Sequence, residues 1–292
     1  MKAWSYIVAA GFIFGLGGPG TKFLIGQGLD PVFLTGVIFA LAAAASLALY
    51  KRFDGLPAKG WWWAMLMGMV SGSGPAIFFN LGFQRLPVSI TTVLISSGPI
   101  FTAVAAHYLG AADRFTIVKG LGLLLSIGGV FLLAGTPAAA GSLAGIALTM
   151  TGAALAGLSG PFVKRLAMFY RPSTTLAPMM TGAGLLGITA IAATRTWQTP
   201  TVAQWGWILA LGITLAIAFR AILGANELAP ASQASLFAYI IPLVGVLIGV
   251  LVFDEPVGWR LILGGFLVLG GVVLVGFRTE VREDQEDGMP VS

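Results

Sequence analysis

Arg220 is the residue of this sequence whose chemistry stands out most clearly. It lies inside the apolar stretch 205–228, and Glu227, seven positions later, is the nearest acidic residue. A guanidinium in apolar surroundings binds carboxylates and phosphates through paired hydrogen bonds. It can equally serve the fold, by pairing with Glu227 or with backbone carbonyls that lack a partner. The sequence leaves open whether Arg220 is an anion site or a structural residue.

Small polar residues form a stripe along the stretch 88–109, and a similar stripe recurs along 232–253. At this helical spacing each set shares one face of a helix. The first stripe comprises Ser89, Thr92, Ser96, Pro99, Ala103 and His107, and the second comprises Ser232, Ser235, Tyr239, Pro242 and Val246. A further polar face, next to Phe79 and Phe83, comprises Ser73, Asn80 and Gln84. These faces either line a central cavity or bond to helix carbonyls.

Other chemistry is poorly supported. The chain has no cysteine and one histidine, so neither disulfides nor a histidine-based metal site is expected. The G-x-G-x-x-G match at Gly15, Gly17 and Gly20 follows no strand and contains Pro19, which argues against a dinucleotide fold. No nucleophile, base and orienting residue can be placed together. We therefore expect neither an enzyme nor a cofactor, and the unclustered charge of +5 does not indicate nucleic acid.

The elements that position these residues are membrane helices. Hydrophobic residues make up 57% of the 292 and charged residues 9%, too little polar surface for a water-soluble globule. A helix needs about 20 apolar residues to cross a bilayer. Ten stretches qualify as spans 1 to 10: 4–25, 31–50, 61–83, 88–109, 115–134, 142–163, 173–193, 205–228, 232–253 and 257–277. The predicted fold class is an all-α integral membrane protein, with a polar, disordered cytoplasmic tail at 278–292.

The sequence repeats itself with an offset of about 142 residues. Gly15-Leu16-Gly17-Gly18-Pro19-Gly20-Thr21-Lys22 recurs as Gly157-Leu158-Ser159-Gly160-Pro161-Phe162-Val163-Lys164, and Pro87 and Pro99 recur as Pro230 and Pro242. We therefore predict two five-helix repeats, at 1–137 and 138–277. An odd number of spans per repeat inserts the second copy upside down, an inverted-topology arrangement found in many secondary transporters.

Prolines fall near the middle of five spans. Each removes a backbone donor and leaves the carbonyl four residues earlier without its helical partner. Pro19 leaves Gly15, Pro161 leaves Gly157, Pro75 leaves Ser71, Pro99 leaves Ile95 and Pro242 leaves Ala238. We expect irregular backbone at these points, and hinge or gating roles for Gly15, Gly17, Pro19, Gly157 and Pro161. Glycines four residues apart, such as Gly68 and Gly72 or Gly245 and Gly249, are expected to pack helices closely.

The distribution of Lys and Arg predicts the orientation. Eleven lie on the side that holds both termini: Lys2, Lys51, Arg52, Lys59, Arg114, Lys119, Lys164, Arg165, Arg171, Arg278 and Arg282. Four lie on the other side: Lys22, Arg85, Arg195 and Arg260. Because positive residues stay on the cytoplasmic side, we expect both termini in the cytoplasm of a bacterial cell, with the spans in its inner membrane.

As a whole the chain resembles the EamA-type branch of the drug/metabolite transporter superfamily, and within it the bacterial aromatic amino-acid exporters. The second half carries the stronger match: Leu228-Ala229-Pro230-Ala231-Ser232, Pro242, Asp254-Glu255-Pro256 and Gly270-Gly271-Val272. The first half carries Leu86-Pro87-Val88-Ser89, Pro99 and Gly128-Gly129-Val130, with Asp113 where the family often has glutamate. The resemblance implies a cavity between spans 3, 4, 8 and 9, with spans 1 and 6 contributing. The substrate-binding residues that it implies are Phe79, Asn80, Phe83, Ser96, Pro99, Arg220, Tyr239 and Pro242.

These observations predict an inner-membrane exporter of amino acids, aromatic or neutral, and of related metabolites, working by alternating access. No span carries Asp or Glu near its centre, so facilitated flux is expected rather than proton coupling. Two alternatives stay open: a proton-coupled multidrug or small-metabolite exporter, and a sugar-phosphate or nucleotide-sugar exchanger. The expected partners are the small-molecule substrate and the lipid bilayer, and we expect a monomer.

Overall fold

The computed structural model describes residues 2–49, 56–108, 117–136, 139, 142–228 and 237–286. Within these ranges the regular structure is helical and contains no β-strand. The helices are α1 (Lys2–Gly26), α2 (Pro31–Leu49), α3 (Ala58–Gly68), α4 (Gly74–Arg85), α5 (Val88–Ile95), α6 (Gly98–Tyr108), α7 (Ile117–Ala134), α8 (Leu143–Phe169), α9 (Pro172–Thr194), α10 (Val202–Leu228), α11 (Phe237–Val252) and α12 (Trp259–Glu286). The predicted repeat boundary at 137/138 lies outside the described residues.

Eight segments of this part of the chain are long and apolar enough to cross a membrane. They correspond to predicted spans 1 to 8, with α3 and α4 together forming span 3 and α5 and α6 together forming span 4. Spans 9 and 10 correspond to the shorter apolar helices Ile240–Val252 and Trp259–Leu274. The predicted all-helical membrane class is therefore confirmed. The helix α12 continues to Glu286, so the prediction of a disordered tail was wrong for 278–286, where Glu, Arg and Gln favour helix.

Several helices begin at side chains that cap their free amides. The Asp30 carboxylate accepts the amides of Val32 and Phe33 at 2.8 and 3.1 Å and starts α2. At the start of α10 the Thr201 amide donates to the Gln204 side-chain oxygen, and the Gln204 amide donates to the Thr201 hydroxyl oxygen. This reciprocal pair is a capping box, which satisfies two amides that would otherwise lack partners. Short polar connections therefore fix where these spans begin.

Of the five prolines near the middle of a span, two coincide with a break in the α-helix and three do not. In span 3 a π-helical turn, Met69–Ser73, comes directly before Pro75. In span 4, α5 ends at Ile95 and α6 begins at Gly98, just before Pro99. The helices α1, α8 and α11 run through Pro19, Pro161 and Pro242 without a break, so the expected irregularity is absent there.

A hydroxyl from a neighbouring helix satisfies the carbonyl that Pro161 leaves free in α8. Pro161 has no amide hydrogen to give to the Gly157 carbonyl. The Thr102 hydroxyl of α6 donates to that carbonyl at 3.0 Å. Neighbouring helices that satisfy a freed carbonyl in this way allow proline inside a membrane helix.

The helices pack in pairs that relate the first half of the chain to the second. In three pairs the partners hold equivalent places in the two halves: α2 packs on α9, α5 on α11 and α7 on α12. The helix α1 packs on α10 and α11, and its counterpart α8 packs on α4 and α6. The helices α7 and α12 contact chiefly each other.

Glycines allow the closest of these contacts. At the α2–α9 crossing, Gly36 meets Gly187, and a Cβ placed at Gly187 would lie 2.5 Å from the Gly36 Cα. One turn along, a Cβ at Gly184 would lie 3.1 Å from the Ala40 Cα, so the two helices run antiparallel. Gly68 similarly faces the backbone of Met179. Glycine packing of helices is therefore confirmed at these contacts.

Candidate functional site

The break between α5 and α6 holds two of the predicted site residues. The Ser96 hydroxyl donates to the Thr92 carbonyl at 2.9 Å, and the Ser97 hydroxyl donates to the Leu94 carbonyl at 2.7 Å. These serines therefore bond to carbonyls at the end of α5. Bonding to helix carbonyls was the alternative to lining a cavity that the sequence left open for the polar stripe. Ser96 and Pro99 remain half-buried, and their contact with a substrate stays a prediction.

Asn80 is buried and points towards α2. Its amide nitrogen donates to the Thr35 hydroxyl at 2.8 Å, and that hydroxyl donates to the Pro31 carbonyl at 2.7 Å. These two consecutive hydrogen bonds, from Asn80 to Thr35 and from Thr35 to Pro31, join α4 to the start of α2. Asn80 thus has a structural bond that the sequence did not reveal, and its predicted role in substrate binding is untested.

The two aromatic residues beside Asn80 lie against glycines of other helices. The Phe83 side chain is 2% exposed, and a Cβ placed at Gly18 of α1 would lie 2.5 Å from its ring. Phe79 is half-buried and packs on Gly152 of α8. Phe83 therefore fills the α1–α4 contact, and Phe79 lies at the α4–α8 contact.

Arg220 lies in the last third of the 27-residue helix α10 and is half-buried. The preceding residue, Phe219, packs edge-on against Phe14 of α1, with ring centroids 5.2 Å apart. Arg220 therefore lies beside the α1–α10 contact. The side chains of Glu227 and Tyr239 lie outside the described residues, whereas Pro242 is buried in α11.

The repeated glycines Gly15 and Gly157 occupy matching contacts. A Cβ at Gly15 would lie 2.6 Å from the Val244 Cβ of α11, and a Cβ at Gly157 would lie 2.6 Å from the Phe101 Cβ of α6. Gly15 thus permits close contact with span 9, and Gly157 permits close contact with span 4. Spans 4 and 9 hold equivalent places in the two repeats. Gly17 has open space around its Cβ position. The predicted hinge roles of these residues are untested.

Lys22 ties α1 to the end of α4. Its ammonium group donates to the carbonyl of Phe83 at 2.5 Å and to that of Leu86 at 3.0 Å. Phe83 belongs to the last turn of α4 and Leu86 directly follows that helix, so no further helical amide is available to bond these carbonyls. A cation there also complements the negative end of the helix dipole.

Glu255 caps the next helix from the far end of the chain. Pro87 is the N-cap residue of α5 and makes no side-chain capping bond. One carboxylate oxygen of Glu255 accepts the Val88 amide at 2.5 Å, and the other accepts the Ser89 amide at 2.8 Å. Gly249 leaves room for this carboxylate, because a Cβ there would lie 2.6 Å from the second oxygen. Glu255 thus supplies the cap that a proline cannot.

Comparison with known proteins identifies the family. The model of the EamA-like transporter family matches the chain twice, at residues 1–135 and 143–277. The chain belongs to the EamA-like transporter family. It is therefore a multi-pass membrane transporter of the drug/metabolite transporter superfamily, as the sequence predicted.

Two relatives and one solved structure agree with this assignment. The transporter is 28% identical to an uncharacterized transporter of Archaeoglobus fulgidus over 284 residues, 94% of this chain and 99% of the relative. It is 25% identical to an uncharacterized transporter of Synechocystis sp. over 253 residues, 78% of this chain and 75% of the relative. A crystal structure that is 17% identical matches with a TM-score of 0.64, covering 95% of this chain and 96% of that one, which shows a shared fold.

A cavity of about 340 Å³ lies beside Glu255 in the transporter. Its polar lining includes Ser89, Thr136 and Arg260, and the Arg260 guanidinium donates to the Gly135 carbonyl. The polar groups of Glu255 and Arg260 are thus already bonded to backbone. The cavity lies at the ends of α5, α7 and α12 and is separate from the predicted site residues.

Sequence reasoning missed three residues of the transporter that join distant helices. Lys22 was used only for the repeat and the orientation, Glu255 only as part of a family motif, and Thr102 was not singled out. A usable signal existed for two of them. Pro87 opens a helix without a cap, and Pro161 leaves a carbonyl that needs a donor.

Proposed function

We propose that this transporter exports amino acids, aromatic and neutral ones foremost, and related metabolites across a bacterial inner membrane. Flux is facilitated and follows alternating access of two inverted five-helix repeats. Both termini lie in the cytoplasm. The matched packing of Gly15 on α11 and of Gly157 on α6 is the observation that carries the alternating-access mechanism of this proposal.

The pairing of helices supports the inverted repeat. An inverted repeat places equivalent helices antiparallel to one another across the symmetry axis. The contacts Gly36–Gly187 and Gly184–Ala40 give this direction for α2 and α9. The helices α7 and α12 agree, because Leu133 meets Gly264 and, further back along α7, Ser126 meets Gly271. The double match of the family model, with its second copy starting 142 residues after the first, supports the same organisation.

The substrate class rests on the residues that the family resemblance points to. Arg220 would hold the substrate carboxylate, because a guanidinium binds a carboxylate with two parallel bonds. Phe79 would stack on an aromatic substrate. Ser96, Pro99, Tyr239 and Pro242, on spans 4 and 9, would complete the cavity between the halves. Arg220 and Phe79 lie on α10 and α4, which pack on the repeat equivalents α1 and α8.

Uptake by liposomes that contain the purified transporter tests the proposal. We expect saturable uptake of aromatic and neutral amino acids without a pH gradient. Arg220→Ala should raise the KM at least tenfold, whereas Arg171→Ala, which removes an exposed arginine outside the spans, should leave it unchanged. Loss of a carboxylate from its guanidinium costs about 1.5–3 kcal/mol, which corresponds to this change.

Three other outcomes of this experiment would each reject one part of the proposal. Uptake that requires an imposed proton gradient contradicts facilitated flux. Unaltered KM in Arg220→Ala removes the carboxylate role of Arg220. Transport of cationic dyes without amino-acid flux rejects the substrate class and supports the multidrug alternative.

A further inference from the structure

The turn between α4 and α5 is held on both sides by charges from other parts of the chain. Lys22 of α1 binds the carbonyls that end α4, and Glu255, from the connection between α11 and α12, binds the amides that begin α5. The turn itself, Leu86–Pro87, lies between them. We refer to these four hydrogen bonds as the Lys22–Glu255 clamp.

The clamp acts on helix ends rather than through an ion pair. The two charges are close enough to interact electrostatically. Each of them nevertheless makes its hydrogen bonds with backbone groups. The cation meets the negative end of α4 and the anion meets the positive end of α5. Each arm therefore holds its own helix, and releasing one arm leaves the other in place.

The clamp gathers the helices that the proposed function assigns to the pathway. Lys22 draws α1 against α4, with Phe83 packed on Gly18 behind it. Glu255 draws the end of α11 against α5, with Gly249 packed on Ser89. These belong to spans 1, 3, 4 and 9, so the clamp joins both repeats at the end of the bundle where α1 finishes.

We propose that Lys22 and Glu255 are the gating residues that keep the transport pathway closed at this end. This proposal rests on the alternating access proposed above. Opening here requires Lys22 to leave the end of α4 and Glu255 to leave the start of α5. The 142-residue offset makes Lys164 and Asp113 the sequence equivalents of Lys22 and Glu255. Lys164 is exposed in α8, whereas Asp113 lies outside the described residues.

Side-specific labelling of a single cysteine tests the clamp. The chain has no cysteine, so Ser96→Cys, at the half-buried α5–α6 break, provides one reporter. A membrane-impermeant thiol reagent is applied to proteoliposomes from the clamp side or from the opposite side. Lys22→Gln or Glu255→Gln should speed labelling from the clamp side by about tenfold, as expected when charge-assisted bonds that favour one state are lost. Labelling from the opposite side should not rise.

Matched controls neutralise neighbouring charges that have no part in the clamp. Arg85→Gln removes an exposed cation whose bonds are to Leu81 and Gln84 of its own helix. Asp254→Asn removes the acidic residue beside Glu255, and asparagine tolerates the positive φ of 51° found there. Both should label at the wild-type rate. Lys22→Arg should also keep that rate, because it keeps a cation at the same carbonyls.

Three results would overturn the proposal. Unchanged labelling in Lys22→Gln and Glu255→Gln would show that the clamp does not close the pathway. Equal acceleration from both sides would show general loosening of the fold. Restoration of wild-type labelling by exchanging the charges, Lys22→Glu with Glu255→Lys, would show that an ion pair matters rather than the two helix ends. The assay needs no substrate, so absence of amino-acid flux with side-specific labelling intact would reject only the substrate class.

Discussion

At Pro161 a single hydroxyl from another helix satisfies the carbonyl that proline leaves free. The Gly157 carbonyl loses its helical donor at Pro161 and gains the Thr102 hydroxyl. The corresponding position for Gly15 is beside Val244, which has no donor to offer. The two copies of the repeated phrase are therefore alike in packing and different in hydrogen bonding.

Thr102→Val tests the hydroxyl without changing the volume of the side chain. We expect the variant to lose about 0.5–1.5 kcal/mol of stability, seen as a lower melting temperature in detergent. Pro161→Ala returns an amide to the Gly157 carbonyl, so the same substitution should cost less in that background. An equal loss in both backgrounds would mean that the Thr102–Gly157 bond is not the cause.

Ser73 presents the opposite case. Its hydroxyl, on the π-helical turn, is fully buried and has no hydrogen-bond partner among the described residues. Because an unsatisfied buried hydroxyl is unfavourable, Ser73→Ala should leave the melting temperature unchanged or raise it. The control is Ser126→Ala, which removes the 3.1 Å bond from α7 to the Val268 carbonyl of α12 and should lower it. A lower melting temperature in Ser73→Ala would contradict this reading of the turn.

At the scale of elements, α1 contains a packing glycine and a free one two residues apart. Gly15 lies against Val244, whereas Gly17 has open space. Gly15→Ala should therefore destabilise the transporter by forcing α1 away from α11. Gly17→Ala should stabilise it by up to about 1 kcal/mol, because alanine favours helix over glycine.

The same pair separates packing from hinge motion. If Gly17 is a hinge, Gly17→Ala should slow transport although it stabilises the fold, and the two readouts are flux in liposomes and melting temperature. Unchanged flux in Gly17→Ala would remove the hinge role. Equal stability of Gly15→Ala and wild type would contradict the close α1–α11 contact.

At the scale of the molecule, the arrangement predicts which connections share a side of the membrane. The connections on either side of α9 flank a single span, so Arg171→Cys and Val202→Cys should be labelled from opposite sides. The Lys and Arg distribution predicts a cytoplasmic position for Arg171. A membrane-impermeant reagent added to intact cells should therefore label only Val202→Cys, and labelling of Arg171→Cys instead would reverse the orientation.

The sequence was sufficient for features that depend on local composition. Long apolar stretches gave the spans, and the 142-residue offset gave the two halves that the family model also matches. The breaks at Pro75 and Pro99 followed from the missing amide. The donor to the Gly157 carbonyl did not follow, because Thr102 lies 59 positions before Pro161 in the sequence.

Residues joined over long sequence separations were beyond such reasoning. Glu255 caps α5 from 167 residues away, and the Lys22 partners lie 61 and 64 residues along the chain. Asn80 was placed on a polar face, but the sequence did not show that Thr35 would bind its amide. Which face of a helix meets which neighbour is set by packing of the whole bundle, not by its own periodicity.

The glycine contact between α2 and α9 has a consequence for the balance between conformations. Gly36 and Gly187 meet backbone to backbone where α2 packs on α9, its equivalent in the other half. If this contact persists unchanged while the two halves move, it contributes the same free energy to both states. A contact of equal energy in two states cannot shift their populations. The resting ratio of the two states is then set by positions where the halves differ. Examples are Thr102, whose equivalent in the second repeat is Val244, and Glu255, whose equivalent in the first repeat is Asp113.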